Sequence, residues 1–150
     1  MSESAAVGQW VDPYPAYNFK VIVGGETVAH FTECSGINVD VATAEYREGG
    51  VAAVVHKVPT ITTFHDVTLR YGLTSSTTLW DWFLTTVEGH VQRRHVTIVL
   101  LDAAGSRPVL QFDLRDCYPR AWKGGVLRAT AREVAIEEIV LAYESLGRSV

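Results

Sequence analysis

Five histidines, at positions 30, 56, 65, 90 and 95, and two cysteines, Cys34 and Cys117, are the side chains of this 150-residue chain best suited to hold a metal or attack a substrate. Two imidazoles grip one ion when they share a face, as in HxxxH on a helix or HxH on a strand. No histidine pair here has either spacing, and His90 and His95 stand five apart across the expected end of a helix and start of a strand. Surface or interface histidines are the expectation. The cysteines occupy no metal-ligand spacing and read as small, reduced strand residues. The segment Cys34-Ser-Gly36 lacks the GxSxG elbow of a serine nucleophile. The pairs Gly24-Gly25 and Gly49-Gly50 fit turns, without GxGxxG or a Walker motif to cradle phosphate. Glu137 and Glu138 could serve as acid and base only if they converged, and neighbours on a strand point to opposite faces. No catalytic residue, metal ligand or cofactor is expected, and nothing in these patterns argues for an enzyme.

With chemistry quiet, the weight falls on what the chain builds. It is 47% hydrophobic, enough for one core, and a domain of this length buries roughly 70% of its unfolded surface without staples. A single domain over residues 1–150 is expected, with residues 1–16 as a polar N-terminal arm. Thirteen basic against seventeen acidic residues give a net charge of −4, which excludes a generally basic nucleic-acid binder. Apolar runs such as Val51–Val55 and Ile139–Tyr143 fall far short of the roughly 20 residues of a membrane-spanning helix. The opening Met1-Ser-Glu-Ser-Ala-Ala-Val-Gly8 lacks a secretory pattern, so assembly in the cytoplasm is expected.

Period two dominates the rest. Phe19, Val21 and Val23 alternate with polar or smaller neighbours, Gly24-Gly25 turns the chain, and Val28 to Glu33 continues a hairpin. Ile37, Val39 and Val41 open another strand that runs to about Arg47. Val51 to His65 has no clean period and reads as a long loop, a kind usually functional or ordered by a partner. Val67, Leu69 and Tyr71 resume alternation. Ser75 or Ser76 can cap a helix over about 76–88, in which Leu79, Trp82, Phe83 and Val87 form one apolar stripe and Gly89 is the stop. Strands follow at Val96–Leu101 and Val109–Arg115 around a turn at Asp102–Gly105. Arg132–Leu146 fits a helix or a strand, because Glu137 and Glu138 interrupt both strand faces. The chain is thus mainly β, with several amphipathic strands and only three lysines to blunt their edges.

The order of several short segments resembles the tail-tube protein family, which builds the inner tube of contractile phage tails and phage-tail-like contractile injection systems. The similar segments are Asp12-Pro-Tyr14 with Tyr17-Asn-Phe19, Phe31-Thr-Glu-Cys-Ser-Gly-Ile37, Glu45-Tyr-Arg-Glu-Gly49 and His56-Lys-Val-Pro59. They continue with Val67-Thr-Leu-Arg-Tyr-Gly72, Leu79-Trp-Asp-Trp82, Ile98-Val-Leu-Leu-Asp102 and Glu133-Val-Ala-Ile-Glu137. They span about residues 12 to 147, with Thr60 standing where the family has glycine. The resemblance implies a small antiparallel β-barrel or sandwich with one helix, and makes Glu133–Tyr143 a strand. It implies hexameric rings with a shared inner barrel, stacked into a hollow tube. A contractile sheath, baseplate or hub proteins, a tube terminator and a cargo effector in the lumen are the partners it implies. The particle would act inside the cell or after release from it. A ring-forming tube initiator or baseplate adaptor is the alternative. On this reading the loop carries a subunit interface at Arg47, Glu48, Val51, Val54, Val55, Lys57 and Ile61. The polar alternates Asn38, Asp40, Thr43 and Glu45 are the candidates to line the lumen.

Overall fold

In the computed structural model, which describes residues 19–28, 31–50, 54–72, 77–130 and 136–149, alternation becomes buried strand wherever one face finds a core. The expected arm at residues 1–16, the cap candidates Ser75 and Ser76, and Glu133 lie outside the described residues, and the N-cap position of the helix is Thr77, whose side chain makes no cap bond. β1 (Phe19–Val23) and β2 (Glu26–Val28) make the first hairpin. Gly24 and Gly25 both take positive φ, +58° and +87°, as a two-residue turn between twisted strands requires. β3 (Phe31–Ser35) does not prolong that hairpin but joins another layer. β4 (Val39–Arg47), β5 (Val55–Phe64), β6 (Val67–Gly72), α1 (Thr78–Val87), β7 (Arg94–Leu101), β8 (Pro108–Lys123), β9 (Ile136–Ala142) and β10 (Ser145–Ser149) follow.

All pairings are antiparallel, in the order β2-β1-β7-β8-β9-β6-β3, with β10 beside β8. The 16-residue β8 serves two layers. Up to Cys117 it pairs with β7, and from Tyr118 to Lys123 with β9. The corner lies at Arg115 and Asp116, two residues opposite the single His95 of β7, where Asp116 has φ +53°. Alternation in the sequence stops at Arg115 for this reason: Leu114 and Cys117 are both fully buried but three residues apart, so the phase is lost. β9 settles the ambiguous segment as strand. Ile139, Leu141 and Tyr143 enter the core, Glu138 faces outward, and Glu137 sits opposite Tyr71 near the strand's start.

One layer contributes Val21, Val23, Val96, Ile98 and Leu114 to the core, and the other Val67, Leu69, Tyr71, Ile139 and Leu141. The described strands form a sandwich whose path ends at β2 and β3 without closing into a barrel within the subunit. α1 adds Leu79 and Trp82 to the same core, while Phe83 is only half-buried and Val87 is exposed. The expected stripe is therefore rotated toward Trp82, whose Nε1 donates to the Gln92 carbonyl at 2.7 Å. Gly89, φ +81°, ends the helix. Its N–H reaches the Thr86 carbonyl and the N–H of His90 reaches that of Thr85, the paired bonds of a Schellman stop.

On the outer face of β7 and β8, Asp113 accepts hydrogen bonds from Thr97 Oγ1 at 3.0 Å and Gln111 Nε2 at 3.2 Å, beside His95 Nε2 at 3.2 Å. Burial alone would raise its pKa, but the bonds from Gln111, Thr97 and His95 together hold it below the usual carboxylate value.

Two outcomes follow from this packing. Trp82→Ala should cost about 3–5 kcal/mol in denaturant unfolding, and Phe83→Ala distinctly less, because only the first vacates a closed site. Asp113 has a lower pKa folded than unfolded, so its contribution is complete above the unfolded value and is lost as pH falls through the folded one. Urea midpoints of Asp113→Asn should thus fall less steeply than those of the parent between about pH 5 and pH 3.

Candidate assembly surface

β4 and β5 form a two-stranded sheet of their own, outside the sandwich. Every residue of β4 is exposed, and every residue of β5 except Phe64 is too. The expected loop at Val51–His65 is therefore corrected: Val55–Phe64 is strand. Its residues favour extended backbone, since Val55, Val58, Thr60, Ile61, Thr62 and Thr63 are all β-branched. No core imposes alternation on them. A bulge also shifts the phase, because Val41 pairs with Thr62 but Thr43 with Pro59, leaving Ala42 opposite Thr60 and Ile61. Thr60 fastens the bulge by donating from Oγ1 to the Ala42 carbonyl at 2.9 Å.

The register places the candidate residues. Arg47 pairs with Val55, Glu45 with Lys57 and Thr43 with Pro59, so these share one face with Val39 and Val41. Asp40 pairs with Thr63 and Tyr46 with His56, on the other face with Asn38. The four polar candidates for a channel wall are thus split, Asn38 and Asp40 on one side, Thr43 and Glu45 on the other. Among the interface candidates, Arg47, Val55 and Lys57 stand together toward the far end, with Glu48 and Val54 beyond and Ile61 back at the bulge. Val51 lies outside the described residues.

The ribbon is firmly rooted. Gly36 has φ +89°, and a Cβ there would lie 2.5 Å from the Asp66 carbonyl oxygen, so only glycine lets the two chain segments pass. The His65 N–H donates to the Asn38 carbonyl at 3.0 Å, and the His65 ring pairs with the Asp40 carboxylate. Phe64 packs toward Tyr143 with ring centroids 5.9 Å apart, and Asp66 is bridged by Arg120 at 2.8 Å. From that root β4 extends about 30 Å at roughly 3.3 Å per residue.

A lone two-stranded ribbon is marginal in water. This one also exposes Val39, Val41, Val55, Val58 and Ile61, the last 71% exposed. Such a strip gains stability only when another surface covers it, at roughly 25 cal/mol per Å² of apolar area. A second exposed apolar group was not foreseen in the sequence. Val126 and Leu127 stand almost free, and half-exposed Trp80 lies 4.7 Å from the Trp122 ring. Their signal was a pair of apolar residues directly after Gly124-Gly125, inside a segment without periodicity.

The chemistry-bearing residues stay dispersed. His56 meets Tyr46, His65 meets Asp40 and His95 meets Asp113, and His30 lies outside the described residues. Among the described residues no three His, Cys, Asp or Glu side chains gather where they could hold a metal ion. Both cysteines are free thiols. Burial, aided by the Glu33 charge, raises the Cys34 pKa to about 11, and burial raises that of Cys117 to about 12, so both remain protonated and unreactive.

A β-sandwich that carries a rooted ribbon, along which no other described element packs extensively, has the build of a structural assembly subunit. The chain belongs to the T4-like virus tail tube protein gp19 family, whose model matches residues 15–147. Among solved structures it is similar to a chain of the PVC extracellular contractile injection system, in the sheath-tube complex in the extended state. They are 28% identical, with a TM-score of 0.82 over 91% of each chain. A chain of the PVC sheath/tube terminator structure is also 28% identical, with a TM-score of 0.85 over 93% of this chain and 99% of that one. A chain of the anti-feeding prophage tube-terminating cap is 25% identical, with a TM-score of 0.84 over 99% and 95%. No curated protein sequence matches.

Gly36→Ala tests the root directly. Strained φ together with the clash on Asp66 should lower stability by more than about 2 kcal/mol. Thermal melts against Gly49→Ala, where φ is ordinary and a Cβ meets nothing within 4 Å, provide the control.

Proposed function

We propose that this chain is the tube subunit of a contractile injection system. Copies form hexameric rings with a shared inner barrel, and rings stack into a hollow tube that holds or passes a cargo effector. The tube is propelled when a surrounding contractile sheath shortens. Baseplate or hub proteins and a tube terminator are its further partners, and the particle acts outside the cell that assembles it. The role is structural, with no catalysis and no cofactor. The observation that carries this reading is the partnerless ribbon, in a chain that resembles one from a sheath-tube complex over nine-tenths of its length.

The two ribbon faces suggest how the labour is divided. Val39, Val41 and Val55 share a face with Thr43, Glu45, Arg47 and Lys57. Both faces carry exposed apolar groups, Tyr46 and Val58 lying opposite the valines, but Glu45, Arg47 and Lys57 add charge to the valine face for pairing across a contact, so that face, with Glu48, Val51, Val54 and Ile61, is assigned to a neighbouring subunit. The channel must stay wet, and the opposite face supplies Asn38 and Asp40 for it. Thr43 and Glu45 are then interface residues, not lumen residues.

A second reading, a ring that initiates or adapts the tube without forming it, has its own support in the likeness to the tube-terminating cap chain. Negative-stain electron microscopy of the purified protein separates the two: long tubes favour the tube subunit, single rings the adaptor. Shortening the ribbon by deleting Gly50–Val55 should leave a folded protomer, with the parent's far-UV spectrum and a cooperative melt, yet abolish tubes. Tubes of normal length from that variant would overturn the ribbon's assembly role.

A further inference from the structure

The face of β1, β7 and β8 that turns away from the core is itself closed to water, and no described element lies across it. Along β7, Val96 and Ile98 belong to the core, so Thr97 and Val99 point to the other side. They stand in register with Ile22 and Lys20 on β1, and with Asp113 and Gln111 on β8. Val109 joins them, one position before Leu110, which pairs with Leu100 and turns inward. A sheet face left to water stays polar and exposed. Here Val99 is 3% exposed, Val109 7% and Thr97 9%. The neighbouring side chains do not account for this, because Lys20 is itself exposed and Gln111 bends along its own strand to bond Asp113 at 3.2 Å. β10 lies beside β8 within the same sheet, and α1 reaches into the core.

The path of the chain points to what covers the face. Phe19 opens β1 opposite Leu100, so the segment before it leaves the sheet beside Leu101 and Val109. The other stretches outside the described residues start elsewhere: after Val28 on the way to the second layer, at the ribbon tip, between β6 and α1, between β8 and β9, and at position 150. The composition of the N-terminal segment fits the task. Residues 10–17 read Trp-Val-Asp-Pro-Tyr-Pro-Ala-Tyr. Pro13 and Pro15 fix their own φ near about −65° and hold Asp12 and Tyr14 extended, which favours a polyproline II segment of about three residues per turn. Val11, Tyr14 and Tyr17 recur at that spacing and so share one side. At about 3.1 Å per residue, Val11 to Tyr17 spans about 19 Å. The way across from β1 to β10 is shorter, three strand spacings of about 4.8 Å. Each tyrosine brings a broad apolar ring for the valines and a hydroxyl for the polar margin at Thr97, Gln111 and Asp113. A segment stiffened by proline also loses little entropy when it docks.

We infer that residues 11–17 of this same chain lie as an extended strap across the outer face of β1, β7 and β8, with Tyr14 and Tyr17 over Val99 and Val109. The strap does not depend on the tube reading, since each subunit closes its own face before it meets another. Apolar area that would otherwise stick sheet to sheet is sealed within the protomer.

Paired cysteines test both the place and the owner of the strap. Asp12→Cys with Ser149→Cys sets one thiol on the strap and one on β10, at the far side of the face. Cys34 and Cys117 do not compete, because burial keeps both thiols protonated. A short bismaleimide added to the folded full chain should link the two positions within one chain, giving a faster band of single-chain mass on a denaturing gel. Asp12→Cys with Glu26→Cys is the control, since Glu26 pairs with Val23 at the opposite end of β1, and it should give at least about fivefold less of that band. Tyr14→Ala with Tyr17→Ala should raise binding of an apolar dye severalfold and lower the melting temperature while the far-UV spectrum is kept. Linkage found only between chains would give the face to a neighbour's segment and overturn the assignment to the same chain. Equal linkage to Ser149→Cys and Glu26→Cys, or unchanged dye binding in the double tyrosine variant, would remove the strap altogether.

Discussion

One strand, β8, must satisfy two sheets, and the rest of the architecture depends on how it does so. Its first half pairs with β7 and β10 and its second with β9, so its 16 residues are the hinge line of the sandwich. Backbone N–H and C=O groups buried between layers need partners, and a strand that changes sheets keeps its ladder on both sides of a corner. The bulge at Arg115 and Asp116 makes that corner. It allows Leu114 and Cys117 to reach the core from the two sides, and the chain repays a positive φ at Asp116 with a continuous strand.

Folding one sheet over at β8 leaves the described strand path open at both ends. The path stops at β2 and β3 without meeting itself, so edges remain, and β4 with β5 leaves the sandwich altogether. The ribbon's root is over-determined by Gly36, Phe64, His65 and Asp66, while no other described element packs extensively along its length. Stiff attachment and an uncovered apolar strip are opposite tendencies in a monomer and compatible ones in an assembly. The root aims the ribbon, which lowers the ordering entropy of contact, and the strip supplies the area.

Sequence reading found most of what a core disciplines. β1, β6, β7 and the helix are legible because one face is buried and the period survives: Val67, Leu69 and Tyr71 are all buried, as alternation requires. It failed where burial does not dictate pattern. β5 looked like a loop because neither of its faces meets a core, and the bulge at Thr60 and Ile61 broke its phase. The second half of β8 was hidden by the bulge before it. Asn38, Asp40, Thr43 and Glu45 were grouped by polarity and not by period: on the expected strand to Arg47, as on β4, even and odd positions face opposite ways, so the split was already legible in the sequence. The family was legible for another reason: short segments in a fixed order carry it, and the family match over residues 15–147 bears that out.

A row of alternating charge on the layer of β3, β6 and β9, formed by Glu33, Arg70, Glu138 and Lys123, was invisible in the sequence, and the reason is instructive. Its members are separated by 37, 68 and 15 positions along the chain, taking Glu33 to Arg70, Arg70 to Glu138 and Glu138 back to Lys123. No local pattern links them; strand order alone brings them into line. Exposed ion pairs of this kind add little to the stability of one subunit.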